Sequence, residues 1–164
     1  MTRNVRAILA RFGAGKTEQT MLWEQDGVWC RGRADFLTDD LKYDIDLKTC
    51  ANADPTTWVK RTVMAGGLDI QAGLRSCGHE MITGCMRDML WLLVEIEPPF
   101  GACVVGVGPS MLDLARQKVD VAAKLWRKCL DARDWPGYRS DIHWADGSSY
   151  AEWDFEARKL AVAS

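Results

Sequence analysis

From Tyr43 to Cys50 polar and apolar positions alternate without a break: Tyr43, Ile45, Leu47 and Thr49 fall on one parity, and Asp44, Asp46, Lys48 and Cys50 on the other. Successive side chains of a strand point to opposite faces, so the run is predicted to be a β-strand with Leu47 entering the core and three charged side chains sharing the other face. Two strands precede it, over Glu18 to Glu24 and Val28 to about Leu37. The Asp26-Gly27 pair between them is a strong signal for a two-residue hairpin. Three antiparallel strands in succession make a meander. Further on, Met89 to Ile96 is nearly all apolar, as in a strand buried on both faces, and Ala102 to Val107 is a second short strand beyond Pro98-Pro99.

Helical signals fill the gaps. Val5 to Phe12 is short and amphipathic and is broken by Gly13 and Gly15. Asp54-Pro55 supplies an N-cap and a first-turn proline for a helix to about Ala65, and a second stretch runs from Leu68 to Thr83. Ser110 to Arg133 reads as a long amphipathic helix capped by Ser110, stopping before Pro136-Gly137, and Tyr150 to Leu160 is weakly helical. The order is helix, three strands, helices, strand, strand, helix, an α/β layout on a mixed sheet. With 164 residues the expectation is one domain over 1–164, its core at about 5–138 and a C-terminal tail at 139–164.

Composition narrows the class. With 48% apolar and 27% charged residues the chain should fold, and a net charge of −2 argues against bulk coating of nucleic acid while leaving room for a local grip on DNA. No apolar run approaches the roughly 20 residues of a membrane span, and the opening residues lack the apolar core of a secretory signal, so the expectation is a cytoplasmic protein that meets no membrane. The six cysteines show no C-x-x-C pair and read as small, mostly buried hydrophobes. Trp58, Trp91 and Trp126 read as packing residues, and His79 and His143 as structural or exposed rather than metal-binding.

The chemistry concentrates on the third strand. Asp46 and Lys48 share a face, and the meander can bring Asp35 of the preceding strand beside Asp46. Two carboxylates and the backbone carbonyl of Leu47 form an oxygen-rich donor set suited to Mg²⁺. The two carboxylates are expected to repel when no metal is bound, with Lys48 compensating only in part. A lysine beside such a site can orient the attacking water and offset charge on a phosphate, which is an arrangement for phosphodiester hydrolysis. The plain alternative is a strand whose solvent face carries alternating charges.

The surrounding text extends this pattern. The runs EQTMLWEQDGVWCRGRADFLTDD, YDIDLKTCANADPTTW, GGLDIQAG, LLVEIEPPF and WPGY, from about Val5 to Tyr138, resemble the exodeoxyribonuclease VIII (RecE-like) branch of the PD-(D/E)XK nucleases of phages and prophages. The resemblance implies an α/β restriction-endonuclease-like core, a mixed sheet with the antiparallel meander flanked by helices. It makes Asp35 and Asp46 the metal-binding and catalytic aspartates, with the Leu47 carbonyl as a further ligand, and Lys48 the catalytic lysine. Gln71 corresponds to a glutamine that positions the lysine or the substrate, and Glu18 to an acidic position on the first strand. The glutamine helix departs from the family, with Gly67, Leu68, Asp69, Ile70, Gln71, Ala72 and Gly73 followed by Arg75 where a tyrosine is usual. The histidine-bearing helical region that usually precedes the first strand is not represented.

What the resemblance implies is a Mg²⁺-dependent deoxyribonuclease, Mn²⁺ being an alternative ion. It would be a 5′–3′ type exonuclease on the ends of linear double-stranded DNA in phage-type recombination, in a bacterial or phage-infected cytoplasm. Expected partners are DNA ends, further copies of the chain in a ring, and a single-strand annealing protein. Arg31, Arg33, Lys60, Arg61 and Arg75 are candidate phosphate contacts. A second reading keeps the fold as a catalytically weak DNA-binding or assembly subunit. A third takes ARFGAGKT, Ala10 to Thr17, as a relaxed P-loop of an NTPase, which would need a strand before it and a helix after it.

Overall fold

The computed structural model describes residues 2–63, 65–138 and 140–162. The chain divides into two compact units, Met1–Asp134 and Trp135–Ser164. The first holds α1 (Thr2–Leu9, continued by a 3-10 turn, Ala10–Phe12), β1 (Gly15–Gln25), β2 (Val28–Thr38), β3 (Tyr43–Cys50) and α2 (Pro55–Trp58, continued by a π-turn, Val59–Val63). Then come α3 (Leu68–Thr83), β4 (Asp88–Glu95), β5 (Ala102–Gly106) and α4 (Pro109–Ala132). The second unit carries α5 (Ser149–Val162).

The five strands form one sheet in the order β1-β2-β3-β4-β5. All neighbours are antiparallel except β3 and β4, which run parallel over eight registered positions from Tyr43↔Asp88 to Cys50↔Glu95. A parallel pair needs a crossover, and α2 and α3 supply it. The β1–β2 hairpin turns on Asp26 (φ 51°) and Gly27 (φ 74°), both left-handed as a type I′ turn requires. Asp54 caps α2, its Oδ1 accepting the Thr57 N–H at 2.8 Å, with Pro55 in the first turn.

Two expectations about these elements are corrected, and the P-loop reading, the least favoured of the three, fails. β1 begins at Gly15, so the glycine-lysine segment lies between a helix and a strand rather than between a strand and a helix, and it builds no P-loop. α4 starts at Pro109 with Gly108 at the N-cap and no capping side chain, which leaves Ser110 inside the first turn: proline sets the helical φ and has no N–H to satisfy, so the helix begins with it. Trp126 is 53% exposed on α4, whereas Trp58 and Trp91 are buried and meet edge to face at 5.4 Å.

β4 is buried on both faces and divides the core. On one side Met89, Trp91 and Leu93 pack with Trp58, Val63 and Ala72. On the other Leu92 and Val94 join Ile45, covered by Val5, Ile8, Leu9 and Phe12 from the first helical segment. α3 lies against the sheet and α4 against α3. A Cβ at Gly73 would stand 2.7 Å from the Ala115 backbone, so only glycine lets the two helices come this close. All six cysteines are free; Cys77 and Cys129 are buried, Cys30, Cys50 and Cys103 half-buried, and Cys85 is exposed, contrary to the expectation for that residue.

Candidate active site

β2 and β3 pair at only two positions, Phe36↔Ile45 and Leu37↔Asp44. Beyond them the strands part, and the backbone of β3 is left without a β2 ladder. Asp35 fills the fork: its Oδ2 accepts the Leu47 N–H at 2.7 Å. Leu47 is 44% exposed rather than in the core. It lines a cleft of about 300 Å³ together with Asp35, Glu18 and Val5.

The polar face of β3 is not a solvent face. Asp44 and Asp46 are buried beneath α3. Four residues of α-helix rise about 6 Å and two residues of strand about 6.6 Å, so side chains four apart on α3 can meet side chains two apart on β3 rung for rung. Gln71 Oε1 accepts from Lys48 Nζ at 3.1 Å, Arg75 Nη1 donates to Asp46 Oδ1 at 2.5 Å, and His79 Nε2 lies 2.7 Å from Asp44 Oδ2. Gln71 Nε2 also reaches Asp46 Oδ1 at 3.5 Å, and Arg75 closes a two-pronged pair on Asp44 through Nε at 2.9 Å and Nη2. A buried carboxylate survives only when paired and hydrogen-bonded, and Asp44 has three donors. The i, i+4, i+8 spacing of Gln71, Arg75 and His79 was the available sequence signal for this match, and alternation of β3 alone does not reveal it.

Arg75 is therefore corrected as a phosphate contact, since its guanidinium is buried and committed to two carboxylates. It also supplies the second cation that Asp46 needs, so the like-charge strain expected of the metal-free site is largely compensated.

Asp46 Oδ2 is left in a different condition. Lys48 Nζ lies 2.6 Å away as an ion pair, but the oxygen is buried with no hydrogen bond. Among the described residues no three His, Cys, Asp or Glu side chains converge, so a donor set built on Asp35 and Asp46 would need backbone oxygen to complete it. The buried Asp46 Oδ2, the Asp35 carboxylate one strand away and the Leu47 carbonyl are hard oxygen donors of the kind that suits Mg²⁺.

The remaining candidates are spread around this centre. Glu18 (φ 53°) stands opposite Asp35 at the one interior position of β1 without a ladder partner, and its Oε2 pairs with Arg33 Nε at 2.9 Å. Arg31 is exposed on β2, Lys60 is exposed on the π-turn, and Arg61 lines a second cleft of about 340 Å³ with Thr49, Asn52 and Thr62. His79 is structural, as read, and His143 is exposed within the second unit.

The "Putative exonuclease" of Eubacterium rectale has a solved structure that aligns with a TM-score of 0.69 at 17% identity, over 93% of this chain and 62% of that one. This chain thus spans less than two thirds of that protein. SSO0001 aligns at a TM-score of 0.42 and 14% identity over 72% of this chain and 55% of that one, below the level of a shared fold. No protein of curated function matches the sequence. The PDDEXK-like domain of unknown function (DUF3799) matches residues 3–145, nearly the whole chain; this protein belongs to that family, and its fold is that of the PD-(D/E)XK nuclease superfamily.

Proposed function

We propose that the chain is a divalent-metal-dependent deoxyribonuclease that hydrolyses phosphodiester bonds of linear double-stranded DNA from its ends. The observation that carries this reading is the Asp46–Lys48 pair held by Gln71, with Asp35 on the Leu47 amide of the same strand. Asp35, Asp46 and the Leu47 carbonyl would hold Mg²⁺, or Mn²⁺ in its place. Such an ion polarises the phosphate and lowers the pKa of its water. Lys48 needs no travel to act: Gln71 fixes its ammonium beside Asp46, where it can donate to a phosphate oxygen or orient water. Gln71 is thus a positioning residue. Arg31, Arg33, Lys60 and Arg61 remain candidates for the DNA backbone, Arg33 by exchanging its solvent-exposed partner Glu18 for a phosphate.

The preference for ends, the recombination setting, a ring of copies and an annealing partner follow the RecE-like resemblance and belong to the same proposal. Incubation with linear and circular duplex DNA and Mg²⁺ tests it. Loss of the linear form alone is the expected result, with no effect of ATP. Nicking or cutting of the circle would make the enzyme an endonuclease. If both forms stay intact but bind, the chain is the weakly catalytic DNA-binding or assembly subunit instead.

A further inference from the structure

We propose that Arg75 is a positioning residue for Asp46, occupying Oδ1 so that Oδ2 alone faces the metal, while Asp44 and His79 hold Arg75 in place. The inference rests on the metal-dependent reading of the site and deepens it. Arg75 has a side chain only 3% exposed, and Nη1 takes Asp46 Oδ1 at 2.5 Å. Its other two prongs go to Asp44, which is fully buried and also meets His79 Nε2 at 2.7 Å. The planar guanidinium offers donors in fixed directions, so two carboxylates two positions apart on one strand are locked relative to each other; an ammonium could not do this. Asp46 Oδ2 makes no hydrogen bond and has only the Lys48 ammonium beside it, at 2.6 Å. Two consequences follow. Asp46 can present one oxygen rather than two, which fixes the ion's place, and part of its charge is already neutralised, which weakens its hold. Precision is thus gained at the expense of affinity.

The test compares Asp44→Asn with the double variant Asp44→Asn/Arg75→Gln. Mg²⁺ binding is measured without DNA by calorimetry and thermal shift, and cleavage of linear duplex is measured alongside. In Asp44→Asn the guanidinium has only Asp46 to answer it, so Mg²⁺ should bind roughly threefold more weakly. In the double variant Oδ1 loses its guanidinium partner and Asp46 keeps Lys48 as its one remaining counter-charge, so Mg²⁺ should bind several-fold more tightly while kcat falls on the order of 10²-fold from misplacement of the ion. A merely structural network would lower melting temperature and leave the affinity of the folded protein unchanged. Affinities that stay constant or move in the same direction overturn the proposal. If only one variant folds, its predicted direction decides; if neither folds, the network belongs to stability and the proposal falls. A wild type that binds Mg²⁺ but cuts no DNA would sink the nuclease reading, while opposite shifts in affinity would still support the role of Arg75.

Discussion

β4 is packed in apolar side chains on both faces, whereas at β3 the two faces of the sheet are held by opposite kinds of interaction. On the α1 side Ile45, Leu92 and Val94 meet Val5, Ile8 and Leu9, and stability there grows with apolar area removed from water. On the α3 side Asp44, Asp46 and Lys48 meet Gln71, Arg75 and His79, where each group is tolerable only because its partner is present. The first face is forgiving of shape and indifferent to pairing. The second is specific at every atom, and the candidate site stands at its open end. The candidate side chains of β3 are thus oriented by a buried charged network, while apolar packing on the opposite face and around β4 supplies the adhesion that keeps the strands together.

The sharpest way to break this contrast is at Lys48. Lys48→Ala should lower cleavage by ~10²-fold or more while far-ultraviolet circular dichroism and Mg²⁺ binding persist, because the ammonium acts on water and phosphate. Cleavage at the wild-type rate would remove Lys48 from the mechanism. Next in size, Arg75→Ala strands Asp44 and Asp46 and should cost about 3–5 kcal/mol in urea unfolding. Leu92→Ala should cost about 2–5 kcal/mol on the other face. The two losses should differ in how they are repaired: Leu92→Met restores most of the second, whereas a neutral residue at 75 helps only when Asp44 is neutralised too. Equal rescue by volume alone on both faces would erase the distinction.

That distinction also decides what could be read from the sequence. Alternation across Tyr43–Cys50 and the apolar run of β4 report burial directly, and both strands lie where they were expected. The meander and its Asp26-Gly27 turn were equally legible, since a type I′ turn has its own residue preferences. The candidate trio of Asp35, Asp46 and Lys48 was visible on the strands, but Gln71 entered through resemblance. Arg75 was misread because parity tells which side chains share a face and nothing about what lies above them. Alternation put Leu47 in the core because it reports parity and not what covers a face, and no local residue preference announces the fork between β2 and β3.

A smaller effect sharpens the metal reading. If Mg²⁺ binds the folded state at ~1 mM affinity, ~10 mM ion should stabilise it by ~1.4 kcal/mol, a rise of a few degrees in melting temperature. Asp46→Asn should lose both that shift and cleavage. It should also melt below wild type without metal, because it leaves Arg75 and Lys48 with one carboxylate fewer. A full Mg²⁺ shift in this variant would mean that Asp46 is no ligand.

The smallest effect lies away from both faces. Glu95 accepts the N–H groups of Ala53 at 3.0 Å and Gly101 at 2.8 Å, and these hold its carboxyl below the usual glutamate range. A depressed folded pKa contributes stability above the unfolded value and loses it as pH falls through the folded one. Glu95→Gln should therefore be slightly less stable than wild type at neutral pH, with the gap closing in acid. Urea midpoints from pH 7 down to the acid limb check this, and a gap that widens in acid would contradict it.

The eight-position parallel ladder between β3 and β4 reaches beyond geometry. A slip of one residue would bring Ile45 and Leu47 under the guanidinium and drive Asp44 and Asp46 into the aliphatic layer around Leu92 and Val94. Each misplaced carboxylate would then forfeit its donors in a medium that cannot replace them. Arg75 thereby serves as a key to the lock of strand registry, rejecting near-miss assemblies that hydrophobicity alone would tolerate.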